Sequence, residues 1–145
     1  MQIISEKDNR VPIMSPRYWL LTLAYCAVIF WMSSRPLEDF PEVKTPGADK
    51  VVHMVLYGGL TVIVSLGLRR ARRPVRAAVQ FFGPIVFAAL YGVSDELHQI
   101  LVPTRSFDLW DVVANTAGAV LAQCILCLGM WRMPLRSVLA WDAFR

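Results

Sequence analysis

The stretch LWDVVANTAGAVLAQCILCLGMW, residues 109–131, decides the fold class. Its one charged residue is Asp111. Helix rise of about 1.5 Å per residue puts Trp110 and Trp131 about 31 Å apart. That spacing suits a hydrocarbon core of about 30 Å with an aromatic ring at each interface. Gly118 stands among Ala114, Ala117, Ala119 and Ala122. Such small residues let membrane helices approach closely.

Three more segments of this kind precede it: Arg17–Ser33, Lys50–Leu68 and Ala78–Leu101. The first is short, and the third is apolar only up to Val93. A chain of 145 residues that is 56% hydrophobic is too apolar for an ordinary soluble domain of this size. The expected architecture is all-α, an integral membrane four-helix bundle, with a tail at 1–16, the bundle at 17–131 and a second tail at 132–145. Ser33-Ser34-Arg35-Pro36 offers no small-x-small cleavage signal, so the first segment is expected to stay on the chain. The Pro- and acid-rich stretch 34–48 reads as a loop, Arg69–Arg76 as a tight basic turn, and 102–106 as a short hairpin in which Pro103 stops the helix.

Charge orients the bundle. Eleven of the fifteen basic residues lie in the two tails, at Arg17 beside the first, and in the Arg69–Arg76 turn; Arg35, Lys44, Lys50 and Arg105 lie on the other side. Eight of the eleven acids share that second side. The positive-inside rule puts both termini in the cytoplasm. The net charge of +4 hides this asymmetry and does not signal nucleic-acid binding. The basic turn is expected against anionic lipid headgroups. Cys26, Cys124 and Cys127 read as small apolar packing residues.

Polar residues gather on the second side. Asp49, His53 and Tyr57 recur every four residues and line one helix face, with Lys50 beside them. Tyr91, Asp95 and Gln99 repeat that spacing on the next segment, with Glu96 adjacent to Asp95 and His98 one turn on. Asp108, Asp111, Asn115 and Gly118 follow on the last. Asp95 lies about 12 Å below Pro103 at helical rise. Charge at that depth is costly and marks a functional site by default. Asp49 alone has a simpler role open to it, as a first-turn acid favoured by the helix dipole, and Ser106 or Asp108 is expected to cap the last helix.

His53, Glu96 and Asp95 are the candidate acid/base groups. Asp49, Lys50, Tyr57, His98, Gln99, Arg105, Asp108, Asp111 and Asn115 are the candidate ligand contacts, with Arg105 the counter-ion to a surplus of acid. Two histidines and several carboxylates are chemistry that zinc or magnesium accepts, but no H-E-x-x-H spacing occurs and no metal ligand is assigned. The cofactor is left open. A structural hydrogen-bond network is the competing account of the whole set.

These residues resemble the VanZ-like family of membrane proteins. The resemblance runs through Trp31-Met32-Ser33-Ser34, Asp49-Lys50-x-x-His53-x-x-x-Tyr57, Asp95-Glu96-x-His98-Gln99 and Pro103-x-Arg105-Ser106-x-Asp108-x-x-Asp111-x-x-x-Asn115-x-x-Gly118, about residues 30–120. It implies a small multi-pass protein of the bacterial cytoplasmic membrane. The family is named for a protein linked to teicoplanin resistance, and its pattern comes without an assigned reaction.

Three functions are then open. The first is an outward-facing pocket that binds or modifies a lipid-linked or peptidoglycan-related headgroup, with Arg105 and Lys50 holding its anionic part. The second is an acid/base or metal-assisted enzyme acting on a membrane lipid. The third is a proton-coupled transporter, for which four helices are few, so that a homo-oligomer would be needed. Membrane lipids are the expected partners in each.

Overall fold

The computed structural model describes residues 14–39, 46–71 and 75–129. Both tails up to Ile13 and from Met130, Trp131 of the aromatic pair, and Arg72, Arg73 and Pro74 of the basic turn lie outside the described residues.

Four helices follow one another: α1 (Pro16–Ser33), α2 (Ala48–Arg69), α3 (Ala77–Gln99) and α4 (Leu109–Gly129), with a 3-10 turn at Leu37–Asp39. Among the described residues there is no strand. Helices α2, α3 and α4 are each long and apolar enough to cross a membrane. Helix α1 falls short of that composition, because Arg17, Tyr18, Thr22 and Tyr25 dilute its leucines. Its Leu20, Leu21, Leu23, Phe30 and Trp31 are nonetheless exposed, as are Leu90, Trp110, Ile125 and Leu128 on the other helices.

The interior is the reverse of a soluble core. Thr61, Ser65, Glu96, Asn115 and Gln123 are fully buried beside Leu60, Ala88 and Ala119. Apolar side chains outside and polar side chains inside are the distribution that lipid, not water, imposes. Thr22 and Thr61 donate to the carbonyls of Tyr18 and Tyr57 four residues earlier, so their hydroxyls cost little.

Glycine sets the tightest contact. A Cβ added at Gly118 would stand 2.2 Å from the Met54 carbonyl oxygen, and one at Gly58 would stand 3.2 Å from the Gly118 carbonyl oxygen. Helices α2 and α4 therefore touch backbone to backbone. Gly92 brings α3 against Asn115 and Tyr57. Helix α1 rests on α2, with Tyr25 over Gly59 and Met14 and Tyr18 over Gly67.

Pro84 lies inside α3 and is buried. It has no N–H for the carbonyl of Gln80 one turn back. Gln123 of α4 donates its Nε2 to that carbonyl at 3.0 Å. A polar side chain on the neighbouring helix thus replaces the missing backbone donor.

Helix α3 ends at Gln99, four residues ahead of Pro103. Leu101 N–H bonds His98 O and Val102 N–H bonds Gln99 O, both three residues back, so the chain tightens into a turn before the proline. Thr104 then takes φ 64°, which reverses the chain toward α4.

Candidate functional site

The start of α2, the end of α3 and the start of α4 meet at one end of the bundle. Gly47 precedes α2 with φ 78°, a left-handed conformation that glycine adopts freely. Asp49 then occupies the first turn as the dipole favours, and it is exposed. Lys50 also stands in that turn, where a cation is disfavoured. Three carboxylates compensate: Asp49 Oδ2 at 2.9 Å, Asp108 Oδ2 at 2.5 Å and Asp111 Oδ1 at 2.5 Å. Sequence spacing offered Lys50 as an anchor for an anionic ligand and Arg105 as the counter-ion to the acids. Lys50 is instead enclosed by acid. Arg105 donates its Nε to the Arg35 carbonyl at 3.1 Å.

One turn deeper lies His53. Its Nδ1 is 3.0 Å from Asn115 Oδ1 and its Nε2 is 3.6 Å from Asp111 Oδ2. Tyr57 follows a turn below, 1% exposed, with its ring parallel to the imidazole at 6.5 Å.

Helix α3 divides its polar residues by angle. At about 100° per residue, Glu96 and Gln99 turn to one side of Asp95, and Tyr91 and His98 to the other. Glu96 is fully buried, and its Oε1 accepts from Gln99 Nε2 at 3.3 Å and its Oε2 from the Asp108 backbone N–H at 3.2 Å. Tyr91 and His98 face α1. The Tyr91 hydroxyl donates to Cys26 O at 2.7 Å. His98 Nε2 lies 3.0 Å from Ser34 Oγ, with its ring 4.5 Å from that of Phe30. His98, expected among the ligand contacts, thus belongs to the α1–α3 seam and not to the cluster around His53. Asp95 lies between the two sides, 6% exposed, beside the Tyr57 hydroxyl.

Asp108 caps α4. Its Oδ1 accepts from Trp110 N–H at 2.8 Å, so the cap falls to Asp108 and not to Ser106. The Lys50 ammonium, and then that Trp110 N–H, hold the Asp108 carboxyl below the usual carboxylate range. Asp111 and Asn115 follow on the buried face of α4.

One ligand-capable atom each from His53, Glu96 and Asp111 lies within 4.8 Å of the other two. These residues come from three helices. Spacing along the chain did not single them out together, because each falls in a different segment.

A family model, VanZ/LLP1, matches residues 18–131. The chain belongs to the VanZ/LLP1 family. No curated protein and no solved structure matches it. Every residue of the site in this VanZ/LLP1 protein falls inside the matched range, as do all three spanning helices. It is a multi-pass membrane protein of that family.

Proposed function

We propose that this VanZ/LLP1 protein binds the headgroup of a lipid-linked or peptidoglycan-related molecule in the polar pocket at the α2–α3–α4 end of the bundle. The pocket faces outward from the bacterial cytoplasmic membrane, with both termini inside. Such binding alters the availability of the headgroup and, in a host that meets glycopeptides, susceptibility to teicoplanin. The observation that carries this reading is Glu96, a carboxylate with no solvent exposure beside His53 and Asp111. Burying ionisable groups at membrane depth is expensive, and an apolar contact would hold the helices more cheaply. The asymmetry of basic residues supports the orientation.

Lys50 already meets three carboxylates, so it is a poor anchor for a further anion. The acids that outnumber it suit the amine and hydroxyl groups of such a headgroup. The test is native mass spectrometry of the protein purified in mild detergent. A lipid that co-purifies with the wild type should be lost from His53→Ala and Glu96→Ala. The same lipid retained by both variants at equal stability sinks the pocket reading.

A second reading, an acid/base enzyme acting on the bound lipid, rests on the same pairing of Glu96 with His53. Glu96→Gln separates the two: an enzyme loses turnover and keeps the lipid, whereas a binder has no turnover to lose.

A further inference from the structure

We infer that His53, Glu96 and Asp111 form a three-ligand site for a divalent transition cation, zinc by the chemistry of the donors. A histidine nitrogen with two carboxylate oxygens is a zinc set, and three protein ligands leave a fourth position open.

The first observation is the convergence itself. Three donors from α2, α3 and α4 lie within 4.8 Å of one another, and all are buried or nearly so. With metal–ligand bonds of about 2.1 Å, a tetrahedral site separates its donors by about 3.4 Å. His53 Nε2 and Asp111 Oδ2 stand 3.6 Å apart.

The second observation is independent and concerns the outer partners. His53 Nδ1 is engaged by Asn115 Oδ1 at 3.0 Å, which leaves Nε2 as the nitrogen that faces the acids. His53 Nε2 stands 3.6 Å from Asp111 Oδ2, beyond hydrogen-bond reach and open to a shared ion. The other two donors are held in the same way. Lys50 fixes Asp111 through Oδ1 and leaves Oδ2 turned to His53. Gln99 Nε2 and the Asp108 N–H fix the two oxygens of Glu96. Each donor is oriented from behind by a polar partner, as metal ligands commonly are. Asn115 and Gln99, fully or almost fully buried, are positioning residues on this account.

The inference deepens the headgroup reading and rests on it for one consequence. The open coordination position would take a phosphate or carboxylate oxygen of the headgroup, an anion that the enclosed Lys50 serves poorly. The cation site itself stands without that reading.

The experiment uses the full chain in mild detergent, stripped with a chelator and titrated calorimetrically with Zn2+, with Mg2+ for comparison. Wild type should take one Zn2+ per chain and prefer it to Mg2+. His53→Ala, Glu96→Gln and Asp111→Asn should each weaken binding by tenfold or more. Asn115→Ala, which removes only an outer partner, should weaken it by about 10–100-fold. Glu38→Gln, at an exposed acid outside the cluster, should leave it unchanged. Glu96→Gln is nearly isosteric and keeps an acceptor for the Asp108 N–H, so it reports on the ligand even where His53→Ala unfolds; thermal unfolding monitors both. Wild type that binds no more Zn2+ than Glu96→Gln overturns the inference and leaves a plain His53–Asp111 ion pair. Equal loss in Glu38→Gln also overturns it, as binding to surface acid. Lipid that still co-purifies while Zn2+ fails to bind ends the cation site and spares the headgroup reading. Zn2+ bound without lipid does the reverse.

Discussion

Gly118→Ala should damage both the bundle and its polar site. A methyl group there would stand 2.2 Å from the Met54 carbonyl oxygen, 2.6 Å from its Cα and 2.7 Å from its carbonyl carbon. Real Cβ atoms essentially never come closer than 3.0 Å, so backbone must withdraw by the difference from 2.2, 0.8 Å, at the least. The obstacle is main chain on a neighbouring helix, and no rotamer relieves it. Over-packing of this kind costs about 1–3 kcal/mol. Met54 adjoins His53, and Asn115 lies one turn before Gly118, so the separation also strains the His53–Asn115 hydrogen bond, worth about 1 kcal/mol. Higher helix propensity returns about 1 kcal/mol. The net loss is about 1–3 kcal/mol, roughly a 5- to 150-fold shift in the unfolding equilibrium. Reversible unfolding in mixed detergent micelles measures it. Gly58→Ala, whose methyl would meet the Gly118 oxygen at 3.2 Å, should cost less, and Gly129→Ala, with nothing within 4 Å, should cost nothing. Gly118→Ala within about 0.5 kcal/mol of wild type, or a loss at Gly129 of the same size, refutes the account of α2–α4 packing.

Three further outcomes are expected. Leu90, 67% exposed near the middle of α3, faces lipid, so Leu90→Arg should cost about 2.5–3.5 kcal/mol of insertion and deplete the protein from membrane fractions; undiminished accumulation contradicts that exposure. Gln123→Leu removes the donor that serves the Gln80 carbonyl in place of Pro84 and should cost about 1 kcal/mol, less in a Pro84→Ala background where a backbone N–H returns; a double-mutant cycle with no coupling rejects the exchange. Because Asp108 titrates below the usual range when folded, its contribution is complete above a pH of about 3.9 and fades as pH falls through the lower folded value. The gap in unfolding midpoint between wild type and Asp108→Asn should therefore hold from neutral pH down to about 5 and close only below about 4. A gap that closes near neutral pH contradicts the assignment.

Much of the fold was legible because lipid demands long apolar runs, and α2, α3 and α4 carry them. The four-residue recurrence of Asp49, His53 and Tyr57 runs along one helix, exposed at Asp49 and buried at Tyr57. Periodicity describes one helix at a time, however, and does not say which neighbour a face meets. His98 and Gln99 follow Asp95 at three and four residues, yet they turn to opposite sides, His98 to Ser34 of α1 and Gln99 to Glu96. Lys50 looked available because its acids, Asp108 and Asp111, sit across an intervening helix in the chain. Glu96, adjacent in sequence to the more regularly spaced Asp95, proves to be the carboxylate that reaches His53 and Asp111.

The partners of the buried polar groups fall unevenly along the chain, and this bears on how the protein is made. When His53 is added to the growing chain, its partner Asn115 is 62 residues from being synthesised. Lys50 awaits Asp108 for 58 residues, and the carbonyl that Pro84 strands awaits Gln123 for 43. All three debts fall due on α4. Until that last helix is translated and laid into the groove at Gly58, the earlier segments must enter the bilayer with these groups served only by water, lipid headgroups or the insertion machinery.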